Sequence, residues 1–352
     1  MTQHMRYAAA INEALYIAME RDPKVLCFGL GVDDPKHIFG TTVGLQEQFG
    51  EQRVFDMPTS ENAITGMGIG VSLTGYRPVM THQRLDFFLL AMDQLVNAAA
   101  KWYYMFGGQV SVPIVIRLII GRGWGQGPTH SQNLQAWFAH IPGLKVVMPA
   151  SPADAKGLLL ESIFDDNPVL FLEHRWLHNS EGEVPIGDYR VSIGKARIAR
   201  EGKEVTLVSM SYMTIEALRA ASYLEKQGIS CEIVDLRTIK PIDWETIFTS
   251  IQKTKRLMVL DTGVTTGSVA GEIIARVCMD HFSMLAQAPV RIALPDNPEP
   301  TSFGLTKYYY PCSENIIRSI ANMLSIDVDL SEATKKCQSF HDIPGDWFKG
   351  PF

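Results

Sequence analysis

Short runs that are apolar throughout alternate along the chain with longer stretches whose apolar residues recur at helical spacing. In the first half these runs are VLCFGL (25–30), RPVMT (77–81), VPIVIRL (112–118), LKVVMP (144–149) and PVLFLE (168–173). Helices are predicted between them at about 5–20, 61–74, 86–105, 131–140 and 152–164. A strand buried on both faces has no polar side to show, so uniformly apolar runs separated by helices predict a parallel sheet covered on each face. A more polar segment, HNSEGEVPIGDYRVSIGKARIAREGKE (178–204), interrupts the pattern. It resumes with VTLVSM (205–210), CEIVDL (231–236), RLMVLD (256–261) and PVRIAL (289–294), and with helices at 214–227, 243–252 and 269–280. The expected fold class is therefore α/β, with two doubly wound domains at 1–185 and 205–325, a linker at 186–204 and a surface-wrapping tail at 326–352.

Composition agrees with this division, because 352 residues exceed what one hydrophobic core usually organises. A net charge of −6 without long single-sign runs provides no basic stripe for a phosphodiester backbone, which argues against nucleic acid as a partner. Cys27, Cys231, Cys278, Cys312 and Cys337 are scattered, form no C-x-x-C pair, and sit in a chain too large to need disulfide staples. A reducing cytoplasm is the expected location. The N-terminal MTQHMRYAAAINEALYIAMERD alternates apolar and polar residues instead of forming a signal-peptide core, and no stretch reaches membrane-spanning length without charges.

The chemistry concentrates in two places. DMPTSENAITGMGIGVSLTG (56–75) carries Glu61 at the head of a segment with no further charge up to residue 75. Thr59 and Ser60 are good caps, and an acid in a first turn complements the helix dipole, so a surface role is one reading of Glu61. The apolar run behind it favours an interior or an interface, where a carboxylate needs a hydrogen-bonding partner. Gly66, Gly68, Gly70 and Gly75 resemble a dinucleotide fingerprint only superficially, since they are spaced through the predicted helix; close helix approach explains them better. The second place is GRGWGQGPTHSQ (121–132), read either as a loop ending in a helix cap or as an active-site loop that delivers His130. A histidine and a buried carboxylate form a candidate acid/base pair.

Four longer stretches carry a family resemblance: FDMPTSENAITGMGIGVSLTGYRPVM, AMDQLVNAAAKWYYMFGGQVSVPIVIR, THSQNLQAWFAHIPGLKVVMPASPADAKGLL and DDNPVLFLEH. Together they resemble the beta subunit of the thiamine-diphosphate-dependent decarboxylating component of 2-oxoacid dehydrogenase complexes, pyruvate dehydrogenase especially. VDLRTIKPIDWETI resembles the transketolase-type carboxy-terminal domain of the same subunit, and the similarity runs from about residue 5 to about 325.

The resemblance implies that Glu61 hydrogen-bonds a pyrimidine ring nitrogen of thiamine diphosphate, that Phe87 packs near the aminopyrimidine, and that Gln83 lies beside the cofactor. It implies that His130 works near the substrate and in acylation of a lipoyl group. It also implies a potassium site made by carbonyl oxygens of Ile114, Ser162, Ile163, Asp165 and Asn167, for which an Asx turn at DDNP is the alternative. No G-D-G motif for the diphosphate metal occurs in the chain. The family carries that motif, with Mg2+, on an alpha subunit, so an α2β2 heterotetramer is implied, with a lipoyl acyltransferase as a further partner. The chain departs from the family pattern at Leu30 and Gly31, at RLDFF, at Arg122 and Trp124, and at DTGVTTGS (261–268). These departures leave the 2-oxo acid and the acceptor open. The expected activity is that of a 2-oxoacid decarboxylase/dehydrogenase beta subunit. The alternative is a split transketolase or carboligase passing a two-carbon unit to an aldehyde, for which Arg122 would suit an anionic acceptor.

Overall fold

The computed structural model describes residues 1–34, 36–121, 125–339, 341–345 and 347–348. Arg122 and Trp124 lie outside the described residues. The chain divides into two units, one made of 1–120 and 137–193, the other of 121–136 and 194–351.

In the first unit six parallel strands stand in the order Lys145–Val147, Val169–His174, Val115–Ile120, Arg77–His82, Val25–Gly29 and Val54–Asp56. Val115–Ile120 and Val169–His174 are buried at every residue, as uniformly apolar runs require. The helices Tyr7–Arg21, Glu61–Leu73 and Pro152–Ile163 fall where periodicity predicts them. The stretch predicted as one helix at 86–105 is instead irregular. It begins as Leu85–Phe88, tightens over Leu89–Ala91, widens to i→i+5 bonding over Gln94–Ala99 and regains α geometry at Ala100–Met105.

The segment read as polar and strandless contributes two strands. Glu181–Pro185 pairs antiparallel with Thr2–Arg6 in the first unit, and Arg197–Arg200 joins the sheet of the second. That second sheet runs Val290–Leu294, Leu257–Val264, Val205–Ser209, Cys231–Asp235, Arg197–Arg200, parallel except at the last strand. Its core gathers Leu207, Ile233, Leu260, Leu224 and Ile317. The amphipathic helix Ser313–Leu324 was not foreseen, and Ala333 of the tail is buried in the same core. Cys312 and Cys337 are disulfide-bonded, which corrects the expectation that the chain carries no staple. Cys312 caps the helix Ser313–Leu324 and Cys337 lies within the helix Ser331–Ser339, and their Cα atoms are 6.3 Å apart. Among the described residues no helix is long and apolar enough to cross a membrane.

A charged cluster sits inside the first sheet. Arg117 donates through Nε and Nη2 to the two carboxylate oxygens of Glu173, at 2.6 and 3.0 Å, and both side chains are wholly buried. His178 Nε2 meets Glu173 Oε2 at 3.1 Å. Burial alone would raise the Glu173 pKa, yet the Arg117 charge and the hydrogen bonds bring it down to about 2. Burial brings His178 down to about 4 against the pull of Glu173, and His82, without a hydrogen-bond partner, down to about 3.

Two expectations follow from this packing. Both histidines titrate near 6.5 when unfolded, so below pH 6.5 the unfolded chain takes up protons that the folded chain refuses. Stability present above pH 6.5 is therefore lost as pH falls toward about 4 for His178 and about 3 for His82, each at up to ~1.4 kcal/mol per pH unit. Urea melts of His82→Phe at pH 7, 6 and 5 should show a flatter decline by about 1 kcal/mol per unit; an unchanged slope would mean that the ring titrates normally. Gly68 settles a second point. A Cβ there would meet Ile114 Cδ1 at 3.0 Å, with Phe28 and Met80 just beyond, so the glycine lets its helix lie against its own sheet and not against another subunit. Gly68→Leu should accordingly lower chain stability by about 1–3 kcal/mol in thermal melts of the isolated chain.

Candidate active site

Three of the expected site residues lie just past the carboxyl ends of the two strands that flank Val25–Gly29 in the first unit, the edge where ligands of open α/β sheets bind. Glu61 follows Val54–Asp56, while Gln83 and Phe87 follow Arg77–His82. Backbone bonds tie these exits together, with Leu30 donating to Thr81 O at 3.0 Å and Met57 to Gly29 O at 2.8 Å. The helix Glu61–Leu73 packs on Leu85–Phe88, the short helix that carries Phe87.

Glu61 opens its helix and is only 6% exposed. Its carbonyl accepts from Thr65 Oγ1 at 2.7 Å, but no hydrogen bond or ion pair reaches its carboxylate among the described residues. A carboxylate on a mostly buried residue, with no donor from the described residues, is open to a donor from outside. Phe87 remains 39% exposed and offers an aromatic surface. Gln83 donates through Nε2 to Asp34 Oδ2 at 3.4 Å. It can do so because residue 31 is glycine at φ +80°, where any Cβ would collide with the Gln83 amide. The departure at Gly31 thus has a physical counterpart in Gln83.

His130 belongs to the second unit. Its backbone N–H donates to Gly127 O at 3.3 Å, and its Nδ1 lies 3.0 Å from Thr129 Oγ1. Ser131, Asn133 and Gln135 behind it are buried. Gln135 Nε2 donates to Asp261 Oδ1 at 2.6 Å. Asp261, wholly buried, also accepts from the backbone of Gly263 and Ala270, yet burial outweighs these donors and leaves its pKa raised.

The five residues expected to hold potassium gather at the opposite edge of the first sheet, where Arg77 begins its strand. The strand rise of about 3.3 Å per residue separates this edge from Gln83 by roughly 20 Å. Ile163 O and Asp165 O accept from Arg77 Nη1 at 3.3 and 3.0 Å. Ser162 O accepts from Asp165 N, and Ile114 O from Val169 N within the sheet. Asn167 N donates to Asp165 Oδ1 at 2.8 Å, closing the Asx turn, and Lys145 pairs with Asp165. Two of the five carbonyls therefore already face one cation, and that cation is a guanidinium. No cluster of metal-ligating side chains occurs among the described residues.

Sequence reading missed several polar residues of the carboxyl edge. Arg84 and Arg175 are nearly buried, and burial brings them to about 10 and about 9, with the Arg84 charge lowering Arg175 further. Arg175 lies over the Phe39 ring at 4.0 Å. Phe39 ends a run of three non-glycine residues, His37, Ile38 and Phe39, at left-handed φ of 44°, 49° and 59°. Strain of this kind persists only where surrounding contacts hold it. The visible hint was RLDFF, whose arginine departs from the family pattern.

Comparison with known proteins gives a consistent result. The transketolase pyrimidine binding domain matches residues 3–179, and the transketolase C-terminal domain matches 194–316. The chain is 41% identical over 326 residues to the beta subunit of acetoin:2,6-dichlorophenolindophenol oxidoreductase from Cupriavidus necator, covering 90% of this chain and 96% of that one. It is 41% identical to the pyruvate dehydrogenase E1 component subunit beta of Rhizobium meliloti, covering 90% and 69%, and 42% identical to the 2-oxoisovalerate dehydrogenase subunit beta of Bacillus subtilis, covering 87% and 94%. A solved split-gene transketolase, an inactive beta4 tetramer, superimposes with a TM-score of 0.73 over 92% of this chain and 99% of its own, at 22% identity, a likeness of fold alone.

Proposed function

Because this chain belongs to the transketolase family, in the branch that includes the 2-oxoacid dehydrogenase beta subunits, we propose that it is the beta subunit of a thiamine-diphosphate-dependent 2-oxoacid dehydrogenase acting on a pyruvate-like acid. The observation that carries the reading is Glu61, a 6% exposed carboxylate to which no described residue donates. Thiamine diphosphate, when bound, supplies an acidic thiazolium carbon that becomes the nucleophile toward the keto carbon. In this reading Glu61 accepts a hydrogen bond from a protonated pyrimidine nitrogen, Phe87 covers the ring, and Gln83 meets its polar edge. His130 handles a proton at the substrate and during transfer of the acyl group. The diphosphate and its Mg2+ belong to an alpha chain in an α2β2 assembly, and a lipoyl acyltransferase takes the acyl group.

We extend the proposal to a potassium ion on the backbone oxygens of Ile114, Ser162, Ile163, Asp165 and Asn167. Convergence of Ile163 O and Asp165 O on Arg77 supports a cation-seeking site there, and the ion would share those oxygens with the guanidinium.

In the complex reconstituted with its alpha chain and thiamine diphosphate, Glu61→Gln should lower turnover at least about a hundredfold without changing the melting midpoint. Pyruvate, 2-oxoisovalerate and acetoin should be offered in parallel; near-normal turnover of the variant on whichever is used would overturn the reading. Replacing potassium with choline in thermal melts should lower the midpoint by a few degrees, on the order of 1 kcal/mol. An unchanged midpoint would leave Arg77 as the resident cation and remove the ion.

A further inference from the structure

We infer that Asp261 and Gln135 are positioning residues for His130, fixing the segment that carries it onto the second sheet. The inference rests on the proposed role of His130, and it adds two residues to which neither similarity nor motif assigns a part. The segment is clamped on both sides of the histidine. Before it, Gly127 lies so close to Thr301 that any Cβ would overlap the Thr301 hydroxyl. After it, Gln135 Nε2 donates to the fully buried Asp261 at 2.6 Å and to Thr262 Oγ1 at 3.2 Å. The strand Leu257–Val264 makes room for this contact through Gly263, where a Cβ would meet Gln135 Nε2 at 2.8 Å and Asn133 O at 3.2 Å.

The contact with Asp261 bears most of the holding. Ser131 Oγ, Asn133 Oδ1 and Gln135 Oε1 are all buried without a hydrogen-bond partner among the described residues. A bond to a carboxylate is roughly twice as strong as a neutral one, and here it offsets a row of unmet polar atoms beside it. Asp261 is itself fixed, since the Gly263 and Ala270 amides donate to its two oxygens at 2.9 and 3.0 Å. The carboxylate therefore cannot follow the segment; the segment must follow it. His130 sits five residues from this anchor and three from the other, a span that limits where its backbone can present the ring while both hold.

Histidine ring NMR spectra of the full-length chain, with His130 assigned through His130→Gln, test the inference directly. Gln135→Leu removes the donor and leaves both backbone donors on Asp261. It should shift or split the His130 ring signals and move the ring's titration midpoint, with the melting midpoint held within a few degrees. In the reconstituted complex kcat should fall about tenfold to a hundredfold while KM for the 2-oxo acid stays within about twofold, the pattern of a misplaced group and not a lost binding contact. Gly263→Ala, which pushes on the segment and spares both partners, should do the same to a lesser degree and replaces Gln135→Leu if that variant does not fold. Unchanged His130 signals in the folded variant would overturn the positioning role, whatever the activity. Full turnover of His130→Gln would instead strike the proposed role of His130 and leave the anchor judged by the spectra alone.

Discussion

Two opposite charges buried completely inside a sheet constrain the first unit more than any apolar contact does. Leaving either Arg117 or Glu173 without the other would strand a charge at a cost of several kcal/mol, so strands Val115–Ile120 and Val169–His174 have one register that satisfies both. Thr81 Oγ1 lies 3.4 Å from Arg117 Nη1, which brings the strand Arg77–His82 under the same constraint. Gln83, Arg84 and Arg175 leave the sheet two or three residues beyond these contacts. A slip of a single residue would turn each of them to the other face. The pair therefore acts as a registration device for the edge at which the candidate site lies, and its worth is positional more than energetic.

The architecture was legible because its central strands are buried on both faces and advertise the fact with runs that are apolar but for single residues such as Arg117 and Glu173. What escaped notice has the opposite character. Thr2–Arg6 and Arg197–Arg200 bury no residue fully and Glu181–Pro185 buries only Val184, so no apolar run marks them. The stretch from Leu85 to Met105 reads as one helix because its apolar spacing is helical, yet the bonding tightens and then widens along it, a change that residue spacing does not encode.

The site was legible in part, and for a reason that can be stated. Glu61 stood out locally, as a charge heading an apolar run, and it is buried as that contrast implied. Gln83, Phe87 and the five potassium residues came only from likeness to a family. The contacts that explain them are distant in sequence. The space at Gly31 matters because of Gln83, the Arg175 guanidinium because of Arg84 and Phe39, and Gln135 because of Asp261. The glycines behind Glu61 show the same limit, since their spacing announced close approach without saying to what. Gly68 answers to its own sheet, while nothing within 4 Å faces Gly70.

Two buried carboxylates, one in each unit, make a useful contrast. Asp261 is met from within by two backbone amides and a side-chain amide, so its burial is accounted for and its role is to hold other groups still. Glu61 sits at a helix start, where the dipole favours its charge, but it has no comparable set of donors among the described residues. Packing explains why a protein would keep the first. Packing gives no such account of the second, and an open acceptor at this edge is what the proposed function rests on. At the same edge Gln83 donates to Asp34, and Arg84 and Arg175 lie nearly buried, so the polar groups there are held by contacts within the first unit.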